Sequence, residues 1–220
     1  MSRKVAILGG QGNAAVVAAA IEHARRMGAT DLEVAGFLND RTPVGEKIDL
    51  FPVIGKIADA QRLLAEGYWF INTIFRIDGN RERIALFESL GIPDDRLATF
   101  VHPMAYVAPS VELGPGCVIL PNVSMSPATK LGKGCMMMAG SMMGHDNVVG
   151  DFCHIAAQAA VGSYLKIGKG VHIGLNATIH ECLTIGDYAT LGMGAVLKHD
   201  IGEGEIWAGN PARFLRMAND

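Results

Sequence analysis

Residues 141–173 read SMMGHDNVVGDFCHIAAQAAVGSYLKIGKGVHI, and every sixth position from Met143 is aliphatic or Met: Met143, Val149, Ile155, Val161, Ile167, Ile173. The series runs back to Val107 and forward to Leu197, sixteen steps without a break. With half the chain hydrophobic, chance would produce this on the order of once in tens of thousands of trials. Gly follows many of these residues, as at Gly114, Gly132, Gly150, Gly168 and Gly186. The position four after each is mostly small, as at Cys117, Val123, Cys135, Ser141, Cys153, Ala159, Ala177 and Ala195. Three hexads make an 18-residue coil, so Cys117, Cys135 and Cys153 form one stacked column rather than a metal site. The pattern predicts a left-handed parallel β-helix: a triangular solenoid with one aliphatic and one small residue pointing inward per side. Gly or Asn is expected to relieve its corners. An exit loop and short helix are expected over residues 203–220.

The N-terminal stretch differs. Residues 1–100 hold 25 of the charged residues and 101–220 hold 16, while Gly runs 10 against 17. That shift predicts two domains, 1–100 and 101–220. Residues 4–8 read as a strand ending in Gly9-Gly10-Gln11-Gly12, with Asn13 capping a helix over 14–27 and Gly28 beyond its end. Strands over 32–38 and 68–74 and helices over 58–66 and 81–90 complete an alternating α/β order. That order predicts a Rossmann-like parallel sheet with helices on its faces. The glycine loop lacks the final Gly of a dinucleotide fingerprint, and its helix N-terminus suits a nucleotide diphosphate or ribose.

Composition excludes some classes. The net charge of −3 and pI near 6.2 argue against a nucleic-acid binder. No apolar run approaches the roughly 18 residues of a membrane span. The N-terminus lacks the features of a signal peptide, so a cytoplasmic location with reduced cysteines is expected.

Chemistry can enter where the repeat departs from blandness. His145 follows the inward Met143 by two positions and stands beside Asp146, near a corner of the prism. Ser163 lies 18 residues on, one coil away. The Met136-Met137-Met138 and Met142-Met143 runs point to a covered apolar outer surface, such as a subunit interface. His154 and His172, also 18 apart, both point outward. Two imidazoles are too few for a metal centre, which favours a stripe facing a neighbouring subunit or a cofactor. Lys166, Lys169, Lys198 and Arg213 are candidate contacts for coenzyme phosphates.

The segments VAILGGQGNA, GFLND, VHPMAYVAPSVELGPG, the unbroken hexads, GHDNVVGDFCH and WAGNPARFL occur in the same order as in nucleotide-sugar acetyltransferases. The chain resembles the bacillosamine- and perosamine-type N-acetyltransferases and the related sialic acid O-acetyltransferases. The resemblance implies an acetyl-CoA-dependent N-acetyltransferase acting on a nucleotide-linked amino sugar, without a metal. It implies a homotrimer with acetyl-CoA lying along the β-helix between two subunits and the nucleotide on the N-terminal domain. The family's catalytic His and acid fall on His145 and Asp146, and its second cleft His on His154. The main-chain N–H that holds the thioester carbonyl falls at Gly162-Ser163. The nucleotide loop falls on Gly9, Gly12 and Asn13, and the strand-end acid on Asn39-Asp40. Asn13 and Ala14 replace the family's usual His and Gly, which bears on substrate identity. An O-acetyltransferase on a sialic acid or polysaccharide sugar, a metal-dependent hydratase of the γ-carbonic anhydrase type and a non-catalytic scaffold are the alternatives.

Overall fold

A computed structural model describes residues 2–219. The chain opens with β1 (Arg3–Leu8), α1 (Asn13–Arg26), β2 (Leu32–Leu38), β3 (Lys47–Ile48) and β4 (Phe51–Gly55). A 3-10 turn at Ile57–Asp59 then leads into α2 (Ala60–Ala65), β5 (Trp69–Asn72) and α3 (Asn80–Ser89). The sheet order is β3-β4-β2-β1-β5, parallel except for the edge strand β3. Both faces of β1 are buried, which explains its unbroken apolar run. Val5 and Ile7 pack with Val17 and Ile21 of α1, and Ala6 and Leu8 pack with Leu63 of α2 and Ile84 and Phe87 of α3. The β3–β4 hairpin carries no alternation that the sequence reading recognised.

Asn13 does not cap α1. Gly12 occupies the cap with φ 87°, and Asn13 is the first helical residue, its side chain turned toward the second half of the chain. The helix ends as expected, with Gly28 in the left-handed region at φ 71°.

From Phe100 the chain winds into two-residue strands. In each the first residue points out and the second, the hexad aliphatic, points in. The strands form three sheets, and each residue pairs with the one 18 positions on, as His154 does with His172. This is the left-handed β-helix of hexapeptide repeats.

Its glycines do two jobs, the expected relief of corners and a second one. The corner residue in the left-handed region lies three positions after the aliphatic residue. Gly116, Gly134 and Gly170 fill it, but so do Asn122, Ala128, Asp146, Gln158 and Tyr164. The glycines directly after the aliphatic residue do not have positive φ. A Cβ at Gly114, Gly150, Gly162, Gly174 or Gly186 would lie 2.5–2.8 Å from backbone atoms of the next coil. They are required by close inter-coil approach.

The first half of the chain covers one face of the prism. Val118, Met136, His154, His172 and Thr190 are the outward residues of that face, yet all are buried. Val118, Leu120 and Met136 join the core under α1, and Phe152 joins the one under α3. Met136, Met138 and the histidine stripe therefore face the chain's own N-terminal half rather than a neighbouring subunit, while Met137 points into the prism core. Met142 remains exposed.

The C-terminal helix is absent from the described residues. Instead Glu205–Ala208 and Arg213–Met217 form an antiparallel hairpin. Its first strand pairs with Thr190-Leu191 and so occupies the open edge of the last coil, burying Ile206.

Candidate functional site

His145 sits in the corner between the strands Met142–Met143 and Val148–Val149, which belong to the two faces of the prism that the N-terminal half leaves uncovered. Its Nδ1 is 2.8 Å from Asp146 Oδ2, and both side chains are about half exposed. Asp146 can reach its neighbour's ring because it occupies the left-handed corner position, at φ 57°. A carboxylate accepting from Nδ1–H leaves the Nε2 lone pair free and directed outward. Tyr164, one coil on, stands edge-to-face against the imidazole at 5.0 Å. The backbone N–H of His145 donates to Ser163 Oγ at 3.2 Å, and Tyr164 N–H donates to the His145 carbonyl at 3.1 Å. Gly162 N–H is committed to the Ile179 carbonyl, whereas Ser163 N–H meets no acceptor among the described residues. The corner thus presents a buttressed imidazole and, one coil away, a free main-chain donor.

A second group of residues gathers beyond the C-terminal ends of the parallel strands β1, β2 and β5. Gly9, Gly10, Asn39, Asp40, Thr73 and Phe75 line an open groove of about 720 Å³. A side chain at Gly9 would collide with Thr73 Oγ1 and one at Gly10 with Asn39 Nδ2, so the loop requires its glycines. Asn39 braces this loop: it donates to the Gly9 carbonyl and accepts from Arg41 and Thr42 N–H. Asp40 Oδ1 accepts from Ile57 N–H. Both residues called substrate-binding by the sequence therefore also hold backbone. Arg41, Arg76 and Arg83 line the same groove and form no salt bridge among the described residues, although Arg76 lies within electrostatic reach of Asp78; sequence reading missed them, since lone arginines look like solvated surface charge.

Beneath the groove, Asn13 Nδ2 lies 3.2 Å from His154 Nε2, and His154 Nδ1 lies 3.2 Å from His172 Nδ1. Phe75 stacks on His154 with ring centroids 4.6 Å apart. Burial, reinforced at His154 by the charge of His172, pushes the two imidazoles down from 6.5 to about 3 and about 4. An unfolded chain protonates its histidines near 6.5 and the folded one resists. This stability is complete above pH 6.5 and is lost as pH falls toward 4 and then 3, by up to about 1.4 kcal/mol per pH unit per histidine. Thermal melts from pH 7.5 to 4.5 should show this loss, and His154→Asn/His172→Asn should flatten it. A double variant with the wild-type slope would place the titration elsewhere.

The two groups do not meet within one chain. His145, Asp146, Gly162 and Ser163 share one corner, while Gly9, Gly12, Asn13, Asn39, Asp40 and His154 lie on the covered face opposite it. The basic candidates also separate. Lys169 pairs with Glu88 of α3 at 2.7 Å and serves the contact between the halves. Lys166 is exposed on the face that holds Val148–Val149, Lys198 follows the strand Val196–Leu197, and Arg213 begins the final exposed strand. No three His, Cys, Asp or Glu residues converge as a metal-binding group among the described residues.

Comparison with known proteins adds a second line of observation. A family model for the hexapeptide repeat of succinyl-transferase matches residues 164–198. No curated protein sequence matches significantly. Among solved structures, the acetyltransferase domain of PglB from Neisseria gonorrhoeae, in complex with acetyl coenzyme A, is 32% identical. The match covers 98% of this chain and 100% of that one, with a TM-score of 0.83. A perosamine N-acetyltransferase variant from Caulobacter crescentus, in complex with CoA and GDP-perosamine, is 28% identical over 97% of each chain, with a TM-score of 0.81. WeeI from Acinetobacter baumannii is 22% identical, covers 97% and 100%, and has a TM-score of 0.77; it shares the fold.

Proposed function

The chain belongs to the hexapeptide-repeat acetyltransferases, in the family of the gonococcal PglB domain, and from that premise we propose that it moves the acetyl group of acetyl-CoA onto the amine of a nucleotide-linked amino sugar. The observation that carries the chemistry is the His145–Asp146 pair, with Nε2 free and a main-chain donor one coil away. His145 Nε2 takes a proton from the acceptor amine as its nitrogen attacks the thioester carbonyl carbon. Asp146 holds the reactive tautomer and stabilises the imidazolium. Ser163 N–H donates to the oxyanion of the tetrahedral intermediate. Collapse breaks the C–S bond, His145 returns the proton to the leaving sulfur, and the products are an amide and CoA. Transfer is direct; the buried thiols of Cys117, Cys135 and Cys153 are structural.

The groove with Arg41, Arg76 and Arg83 supplies the acceptor site in this reading. Guanidiniums around a glycine loop suit a diphosphate. Lys166, Lys198 and Arg213 remain candidates for the coenzyme's phosphates. The complexes of the gonococcal and Caulobacter proteins, with acetyl coenzyme A and with CoA and GDP-perosamine, support both ligand classes. A panel of nucleotide-linked amino sugars assayed for CoA release tests the function. Turnover with at least one amino sugar and none with its hydroxyl analogue is expected; turnover with hydroxyl acceptors alone would overturn the amine assignment.

Separation of the two groups within one chain further supports a closed homotrimer in which one subunit's groove faces its neighbour's His145 corner. Mixing makes this measurable. His145→Asn and Arg83→Ala proteins, each weak alone, should complement when co-expressed. Random assortment would restore about a quarter of the sites. No recovery, together with a monomer in sedimentation, would remove the shared-site reading.

A further inference from the structure

The inward column behind the His145 corner reads Val111, Thr129, Asn147, Leu165, Leu183. Its two polar members are wholly buried. Asn147 Nδ2 donates to the carbonyls of Gly144 at 2.9 Å and Gly162 at 2.8 Å, and its Oδ1 accepts from Leu165 N–H at 2.7 Å. Thr129 Oγ1 also donates to the Gly144 carbonyl, at 2.9 Å. At several other corners the N–H in the Leu165 position bends back within its own corner. Ala177 reaches the Gly174 carbonyl at 3.2 Å and Ala159 the Ala156 carbonyl at 3.3 Å. At Leu165 the side chain of the preceding coil takes over.

The consequence follows from peptide planarity. The Gly162 carbonyl and the Ser163 N–H belong to one trans peptide and point in opposite directions. By holding that carbonyl toward the interior, Asn147 turns the Ser163 N–H out of the prism, where it is free. The same amide grips the Gly144 carbonyl, whose peptide carries the His145 N–H bonded to Ser163 Oγ. We infer that Asn147 is a buried positioning residue that aims the Ser163 N–H at the reacting carbonyl and locks it to the His145 corner. The inference rests on the catalytic roles given above to His145 and Ser163.

A hydroxyl-for-methyl comparison tests it. Thr129 shows that a Thr in this column reaches the corner carbonyl of the next coil, and Val111 shows that the column accepts Val. Asn147→Thr and Asn147→Val both forfeit the acceptor for Leu165 N–H, and only Thr keeps a donor for Gly162. Both should melt at similarly reduced temperatures. Asn147→Val should lower kcat by about 10- to 100-fold with KM for both substrates nearly unchanged, and Asn147→Thr should recover most of the loss. If Val impairs soluble folding, Asn147→Ser against Asn147→Ala gives the same contrast. Equal kcat for the paired variants, with His145→Asn inactive, overturns this inference alone. An active His145→Asn overturns the base assignment and the inference with it.

Discussion

His145→Asn is expected to lower kcat by about 10²–10⁴, the usual worth of a positioned general base, while KM for acetyl-CoA changes little. Asn keeps much of the side chain's polarity but cannot take a proton near neutral pH. The corner should survive, because its backbone is held by Ser163 Oγ, Tyr164 N–H and the Pro127 carbonyl rather than by the imidazole. Asp146→Asn should cost less, since it weakens orientation and leaves the base in place. His154→Asn should act mainly through KM for the acceptor, as His154 Nε2 is already engaged by Asn13 beneath the groove. Steady-state kinetics on the three variants decides. A near wild-type kcat for His145→Asn beside a dead His154→Asn would put the base on the wrong histidine.

Ile173→Asp should have the largest effect on stability. Ile173 is fully buried between Ile155 and Leu191 in its stack. Fully burying such a side chain stabilises by about 1.5–3 kcal/mol. Aspartate forfeits that and places an unpaired carboxylate in a narrow apolar prism, for a total loss of several kcal/mol. Loss of soluble expression is the expected outcome. Ile173→Val, which removes one methylene, should cost about 0.5–1.5 kcal/mol and remain folded. A soluble Ile173→Asp protein with wild-type melting would contradict the inward placement of the hexad residue.

The repeat was legible because its physics is local and periodic: each hexad repeats the same inward choice, so Val107 through Leu197 announce the prism without any long-range knowledge. His145 and Asp146 were legible because the imidazole and its carboxylate are chain neighbours. What escaped depends on partners far apart in sequence. Asn13 looks like a helix cap until His154, 141 residues on, draws its side chain away. Lys169 looks like a free cation until Glu88 is placed beside it. The outward histidines and Met136 reveal nothing of the N-terminal half that covers them, because periodicity says which way a residue points and not what it meets. The short strands of the terminal hairpin carry too little alternation to compete with a helix reading, and the open edge they fill exists only once the coils are stacked.

The glycines at the inter-coil contacts set a mechanical rule for change in this molecule. At Gly114, Gly150, Gly162, Gly174 and Gly186 one coil rests on the next through backbone, and strand pairing between coils fixes the spacing along the prism at about 4.8 Å per 18 residues. Gaining or losing a whole coil below the His145 corner would shift the C-terminal hairpin by one such step and leave every inward residue in phase. A single-residue slip within a strand would turn all the later hexads inside out. The length of the chain beyond its reactive corner can therefore drift in whole coils, and a coenzyme lying along the prism would be measured against a ruler with fixed graduations.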